Sequence, residues 1–221
     1  MIITISRQYR AGGSEVAARV AAALEWSVID DALVEAVAAR SGFTPEDVRS
    51  LEESVPTFLE RFGRFSALSS PEGLLSTPSA IEDPAAMTLA HVSRDVIEEI
   101  GRRNRIVLVG RAAAVVLEAE RNAIHVRLVA PLANRMRAAM DAEGCSEDEA
   151  LAEIQQRDEN RARYHRDLFD RDWNDPLNYH LVLNTGSLGF AGAAEVIAAR
   201  ARALGWAPDS VVSNSRQDSS D

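Results

Sequence analysis

A parallel α/β sheet is the fold class this sequence predicts, on three observations. Five short apolar runs (IITI, WSVID, RIVLVG, AIHVRLVA and YHLVLNT) alternate with segments of helical period. The runs are rich in β-branched residues, as strands buried on both faces of a parallel sheet are. The segments between them carry helix start and stop residues, so the chain reads as strands joined by right-handed helical crossovers.

The elements follow in order. Residues 2–5 form the first strand and residues 14–25, alanine-rich, the first helix. WSVID is a short second strand ending at Asp30, and DALVEAVAARSG a helix with Asp31 as N-cap and Gly42 as its stop. Thr44 caps a further helix with Pro45 in its first turn. From Val55 to about Pro84 the helical period is lost, and SALSSPEGLLSTPSAIEDP, rich in Ser, Pro and Gly, reads as a mobile segment within one domain. AAMTLAHVSRDVIEEIGRR restores helical period ahead of the third strand, which ends at Gly110. A helix over residues 112–120, the fourth strand AIHVRLVA, and a helix opened by Pro131 and ended by Gly144 come next. Ser146 and Glu149 make a capping box for a long helix to about His165. YHLVLNT is the fifth strand and GFAGAAEVIAARARAL the last helix. Residues 1–207 are expected as one domain, and the polar residues 208–221 as a disordered tail.

The hydrophobic share of 46% is enough to bury a sizeable core. A net charge of −10 argues against non-specific adhesion to nucleic acid or membrane as the main activity. All 24 basic residues are arginine. A GC-rich genome would account for that bias as a whole, yet the chemistry differs: arginine contacts phosphate as a planar fork, lysine as a slim point charge. The single Cys145 cannot form an internal disulfide, which fits a reducing, cytoplasmic setting. Neither a signal peptide nor a transmembrane helix is expected. His91, His125, His165 and His180 lack metal-ligand spacing and are read as structural or surface residues.

Ligands of such sheets bind beyond the carboxyl ends of the strands. Here those ends are Ser6-Arg7, Asp30-Asp31, Gly110-Arg111, Ala130-Pro131 and Asn184-Thr185. The first leads through RQYRAGGS directly into a helix, and helix N-termini attract anions through open N–H groups and the helix dipole. Against the phosphate-loop pattern G-x-x-x-x-G-K-[ST], Gly12 takes the second glycine and Ser14 the Ser/Thr. Arg7 then stands for the first glycine and Gly13 for the lysine. The candidate ATP-binding set is Arg7, Gln8, Arg10, Ala11, Gly12, Gly13 and Ser14. Either Arg7 or Arg10 could supply the charge of the missing lysine, and Arg10 would crowd the phosphates if its φ must be positive.

ISRQYRAGGSEVA resembles the opening of the cytidylate kinase-like family, a branch of P-loop nucleotide kinases whose own loop lacks the lysine. VLVGRAAAVVL, RLVAPLANRM and the closing block from RDENRARYHRD to GAAEVI are similar to the family's later motifs, in order. The likeness spans nearly the whole chain except about residues 55–85 and the tail. It implies a three-layer P-loop kinase-like fold, with a mobile helical acceptor arm at about residues 43–104 and a lid at about residues 146–178. It also implies an enzyme that uses ATP and Mg²⁺ to transfer phosphoryl to a nucleoside monophosphate, cytidylate-type, or to a related small acceptor. Arginine-rich electrostatic stabilisation would carry the transfer.

Under that resemblance Arg157 and Arg161, four apart on the lid helix, act on the migrating phosphoryl, with Arg135 and Asp30 as further catalytic candidates. Arg111 would hold the acceptor with Asp30 and Arg64, and closure of the arm would bring Arg61 or Arg64 to the acceptor phosphate. Ser14 and Asp30 are the candidate Mg²⁺ ligands. The block WNDPLNY is expected to dock the lid on the core. Arg10 and Ser14 depart from the family's usual residues, and DDALVEAV lacks the acceptor arginine of true cytidylate kinases. A nucleotide-binding regulatory protein with weak or no kinase activity, and a scaffold kept for protein contacts, are the alternatives. Small-molecule nucleotides, rather than nucleic acid or membrane, are the expected partners, and a homodimer is allowed.

Overall fold

The computed structural model describes residues 1–53 and 84–206. In chain order the elements are β1 (Ile2–Arg7), α1 (Gly13–Leu24), β2 (Ser27–Ile29), α2 (Asp31–Ser41), α3 (Pro45–Glu53) and α4 (Pro84–Gly101). Then follow β3 (Ile106–Val109), α5 (Ala113–Val116), β4 (Ala123–Val129), α6 (Leu132–Glu143), α7 (Glu147–Phe169), β5 (Leu181–Asn184) and α8 (Thr185–Ala203). The strands form one parallel sheet in the order β2-β3-β1-β4-β5.

Strand periodicity divides the core into two layers. Ile3, Ile5, Val107 and Val109 face α1 and α8, where they meet Val16, Val20, Ala194 and Ile197. Ile2, Ile106 and Leu108 face the opposite way, against Leu33 and Val37 of α2, Leu89 and Ile97 of α4 and Tyr164 of α7. The result is the expected three-layer α/β architecture with β1 at its centre. Residues 54–83, including Arg61 and Arg64 and the core of the expected mobile arm, lie outside the described residues, as does the tail from residue 207.

Local signals behave as their chemistry dictates. The Ser146 hydroxyl and N–H hold the Glu149 carboxylate in a capping box, and those bonds keep the Glu149 carboxyl below its ordinary range. α7 runs four residues past His165 to Phe169, whose ring packs in the core beside Tyr164. Thr44 and Asp47 form the same type of box at the start of α3. Asp30, not Asp31, occupies the N-cap of α2, and its side chain makes no capping bond. The helix expected over residues 112–120 shrinks to Ala113–Val116. Gly110, Arg111 and Ala112 all have left-handed φ, of 74°, 57° and 52°, so the chain turns before any helix can start. α8 begins earlier than expected, at Thr185 under an Asn184 cap, and is interrupted by Gly189 at φ 68°, ψ 170°.

His125 of β4 is buried, sharing a 2.8 Å hydrogen bond between Nδ1 and the Thr4 hydroxyl, with its ring stacked on His180. Burial first, then the nearby His180, pushes its pKa down to about 4, from an ordinary 6.5. Between those values the unfolded chain binds the proton and the folded protein does not, so stability drops as pH falls through that window. The full loss below pH 4 is about 3 kcal/mol for this group. Denaturant melts at pH 7 and 4.5 should show His125→Gln losing less stability on acidification than the wild type. Equal losses would remove His125 as the cause.

Candidate active site

At the carboxyl end of β1 the chain turns through residues 8–12 into α1. Gln8 N–H bonds Leu128 carbonyl and its side chain accepts from Ala130 N–H, which ties the loop to β4. Arg10 has φ 61°, the left-handed conformation for which a glycine would be the unstrained choice. Its guanidinium turns toward Glu143 of α6, with which it pairs, and lies 5.0 Å from the Tyr9 ring centre. Ala11 is fully buried beneath the loop. Gly12 caps α1 at φ 82° without any side-chain capping bond. Among the described residues, the N–H groups of Gly12, Gly13, Ser14 and Glu15 meet no acceptor. Four open donors at a helix start are what an anion needs.

These donors border a hollow of about 330 Å³ lined by Arg7, Gly12, Gly13, Ser14, Arg161 and Phe190, among others. A second hollow of about 340 Å³ adjoins it toward Asn134, Thr185 and Gly186. Arg10, Ala138 and Phe190 line both, so together they form one elongated cleft along the strand ends. Thr185 anchors the far wall by donating to the carbonyls of Ala11 and Val129.

The long helix α7 brings its charges to the loop. Asp158 accepts from Tyr9 N–H at 2.7 Å and from Arg135 Nη1 at 2.5 Å, and lies 4.0 Å from Arg161. Arg161 donates to the Arg7 carbonyl at 3.2 Å, and Arg135 reaches the Tyr9 carbonyl at 3.4 Å. Arg135 and Arg161 are both buried, so their charges sit in a medium where Coulomb forces are weakly screened. Arg157 differs from Arg161 in being only half-buried: it pairs with Glu153 at 3.3 Å, while both guanidiniums lie over the Tyr9 ring, at 5.5 and 5.7 Å. The Tyr9 hydroxyl bridges Glu143 and Glu153, and burial followed by the Glu153 bond raises its pKa above the ordinary phenol value. Tyr9 and Asp158 thus join loop, α6 and α7.

Of the other expected residues, Ser14 and Asp30 come together, the hydroxyl donating to the carboxylate at 2.9 Å. Arg111 is 7% exposed and donates through Nη1 to the carbonyl of Val48 on α3, away from the loop cleft. The block from Trp173 to Tyr179 docks as expected, through a residue the sequence reading passed over. Arg127 of β4 donates to Trp173 carbonyl and Asn174 and stacks 4.0 Å from the Trp173 ring centre, while Trp173 Nε1 donates to Ser6. Phe190 was likewise passed over, since nothing in GFAGAAEVI distinguishes a cleft ring from a helix-face ring.

A parallel three-layer sheet with open helix-start donors and convergent arginines beyond its strand ends defines a P-loop kinase-like protein. The chain belongs to the cytidylate kinase-like family, whose model matches residues 2–187. Its fold is similar to the crystal structure of an uncharacterized protein from Eubacterium ventriosum ATCC 27560, with TM-score 0.64 and 19% identity over 92% of this chain and 98% of that one. A shikimate kinase from Bacteroides thetaiotaomicron aligns over 92% of this chain and 97% of its own at TM-score 0.49 and 14% identity. A curated relative, uronate isomerase of Corynebacterium glutamicum, is 28% identical over 105 residues, 48% of this chain but 20% of that protein. The family supports nucleotide-dependent phosphotransfer in general, and nucleotide together with Mg²⁺ as its usual requirements. Among the described residues no helix is long and apolar enough to cross a membrane.

Proposed function

We propose that this protein is an ATP-dependent kinase of a nucleoside monophosphate, cytidylate-type, or a related small acceptor. The observation that carries the reading is the set of open N–H donors from Gly12 to Glu15 facing a cleft that Arg161 of the lid helix lines, with Arg135 of α6 held to the Tyr9 carbonyl of the same loop. The donor phosphates lie on those N–H groups, and Arg161, held against the Arg7 carbonyl, faces the charge that develops on the migrating phosphoryl. Asp158 keeps Arg135 and Arg161 oriented. Asp30 and Arg111, just beyond the ends of β2 and β3, would hold the acceptor, Arg111 from its place against the Val48 carbonyl of α3.

Ser14 and Asp30 fit Mg²⁺: both are hard oxygen donors, 2.9 Å apart at the loop's edge, and this ion keeps most of its shell as water. When bound, the ion neutralises phosphate charge. Asp30→Asn should raise the Mg²⁺ concentration for half-maximal turnover about tenfold while leaving the fold intact. An unchanged Mg²⁺ titration would move the metal elsewhere.

The direct test is ADP formation from ATP across the nucleoside monophosphates, followed by other small hydroxyl acceptors. Transfer to one of them at a steady rate establishes the reading. The second reading, a nucleotide-binding regulatory protein, is favoured by Arg10, whose left-handed backbone and bulky side chain sit where a glycine would be unstrained. ATP-dependent thermal stabilisation without turnover on any acceptor would select it.

A further inference from the structure

We propose that Arg7 supplies the cation that lysine supplies in the pattern G-x-x-x-x-G-K-[ST], and that Gly13 lacks a side chain because the Arg7 stem occupies its place. This rests on reading the loop cleft as a donor-phosphate site. A Cβ built on Gly13 would stand 2.7 Å from Arg7 Cγ, 3.0 Å from Cδ and 3.3 Å from Cβ. Those are the near carbons of the stem, whose course is set by the last residue of β1 and not by a flexible tip. Gly13 is the first residue of α1 and has no left-handed φ, so its backbone does not call for glycine. The crossing stem does.

Two positions of the pattern are therefore exchanged. The site of the first glycine carries the charge, and the site of the lysine surrenders its side chain to let that charge through. Arg7 lines the same hollow as Gly12, Gly13 and Ser14, whose N–H groups are open. Arg10, the other candidate for the role, is turned to Glu143 and the Tyr9 ring. A guanidinium reaching phosphate from the strand side can engage two oxygens at once, where an ammonium engages as a point charge.

Calorimetric titration with ATP, and separately with inorganic tripolyphosphate, tests the proposal. Arg7→Ala should weaken both ligands about tenfold or more, the usual loss for a charge-assisted phosphate contact. Arg7→Gly/Gly13→Lys, which rebuilds the ordinary order, should recover most of the affinity. Gly13→Ala should lower the melting temperature of the wild type more than that of Arg7→Ala, which keeps only the Cβ contact at 3.3 Å. Unchanged affinity in Arg7→Ala overturns the role of Arg7 and leaves the kinase reading standing. So does a folded Arg7→Gly/Gly13→Lys protein that stays as weak as Arg7→Ala. A wild type that binds neither probe overturns both readings, and equal melting losses from Gly13→Ala in the two backgrounds overturn the crossing of stem and glycine.

Discussion

Arg161→Ala is expected to lower kcat by about 100-fold or more while changing the KM for ATP only a few-fold. The side chain is buried, donates to the Arg7 carbonyl and is flanked by Asp158, so its charge is positioned before any substrate arrives. A preorganised cation acts most on charge that develops during transfer, which is why turnover suffers more than ground-state binding. Spacing pairs Arg157 with Arg161, and both lie over the Tyr9 ring, yet Arg157 is the more exposed of the two and is paired with Glu153. Arg157→Ala should therefore cost only a few-fold in kcat. Steady-state kinetics on the two single variants and the double variant, with ATP titrations to show the loop intact, provide the measurement. Full turnover in the double variant would end the role of α7 in transfer.

Gly12→Val should bring ATP binding down by about 100-fold or more and also lower stability, by about 2–4 kcal/mol. At φ 82° a β-branched residue is strained, and a Cβ there would stand only 2.3 Å from Cε1 of the Phe190 ring. The branch would also stand over the open N–H groups of the α1 start. Pairing it with Phe190→Ala separates the two effects: relieving the ring contact should restore part of the stability but not the ATP affinity. The readouts are denaturant melts and calorimetric titration. A folded Gly12→Val/Phe190→Ala protein with wild-type affinity would show that phosphates do not bind at this loop.

The sheet and its crossovers were legible because burial on two faces forces β-branched runs, and helices joining them carry their caps in one-letter code. IITI, RIVLVG and AIHVRLVA could be nothing else in a chain of this pattern, and the Ser146–Glu149 box is a purely local signal. Spacing alone also put Arg157 and Arg161 on one helix face. It could not say which of the two is buried and bonds the Arg7 carbonyl, because that depends on the rotation of α7 against α6 and β1. Asp158 looked like one more charge on a solvated helix, whereas in three dimensions it accepts the Tyr9 N–H and steadies Arg135.

What the sequence determined by itself was the order of strands and helices, the loop with its glycine pair, and the absence of any lysine. These are fixed by local propensity and by hydrophobic period, which act between residues a few positions apart. The tertiary structure alone decided that Ser14 meets Asp30, that Arg111 turns to α3, and that Phe190 closes on Gly12. It alone also decided that the Arg7 stem fills the space above Gly13. Each of those contacts joins side chains whose directions are set by how whole elements pack, and no sequence period encodes that packing.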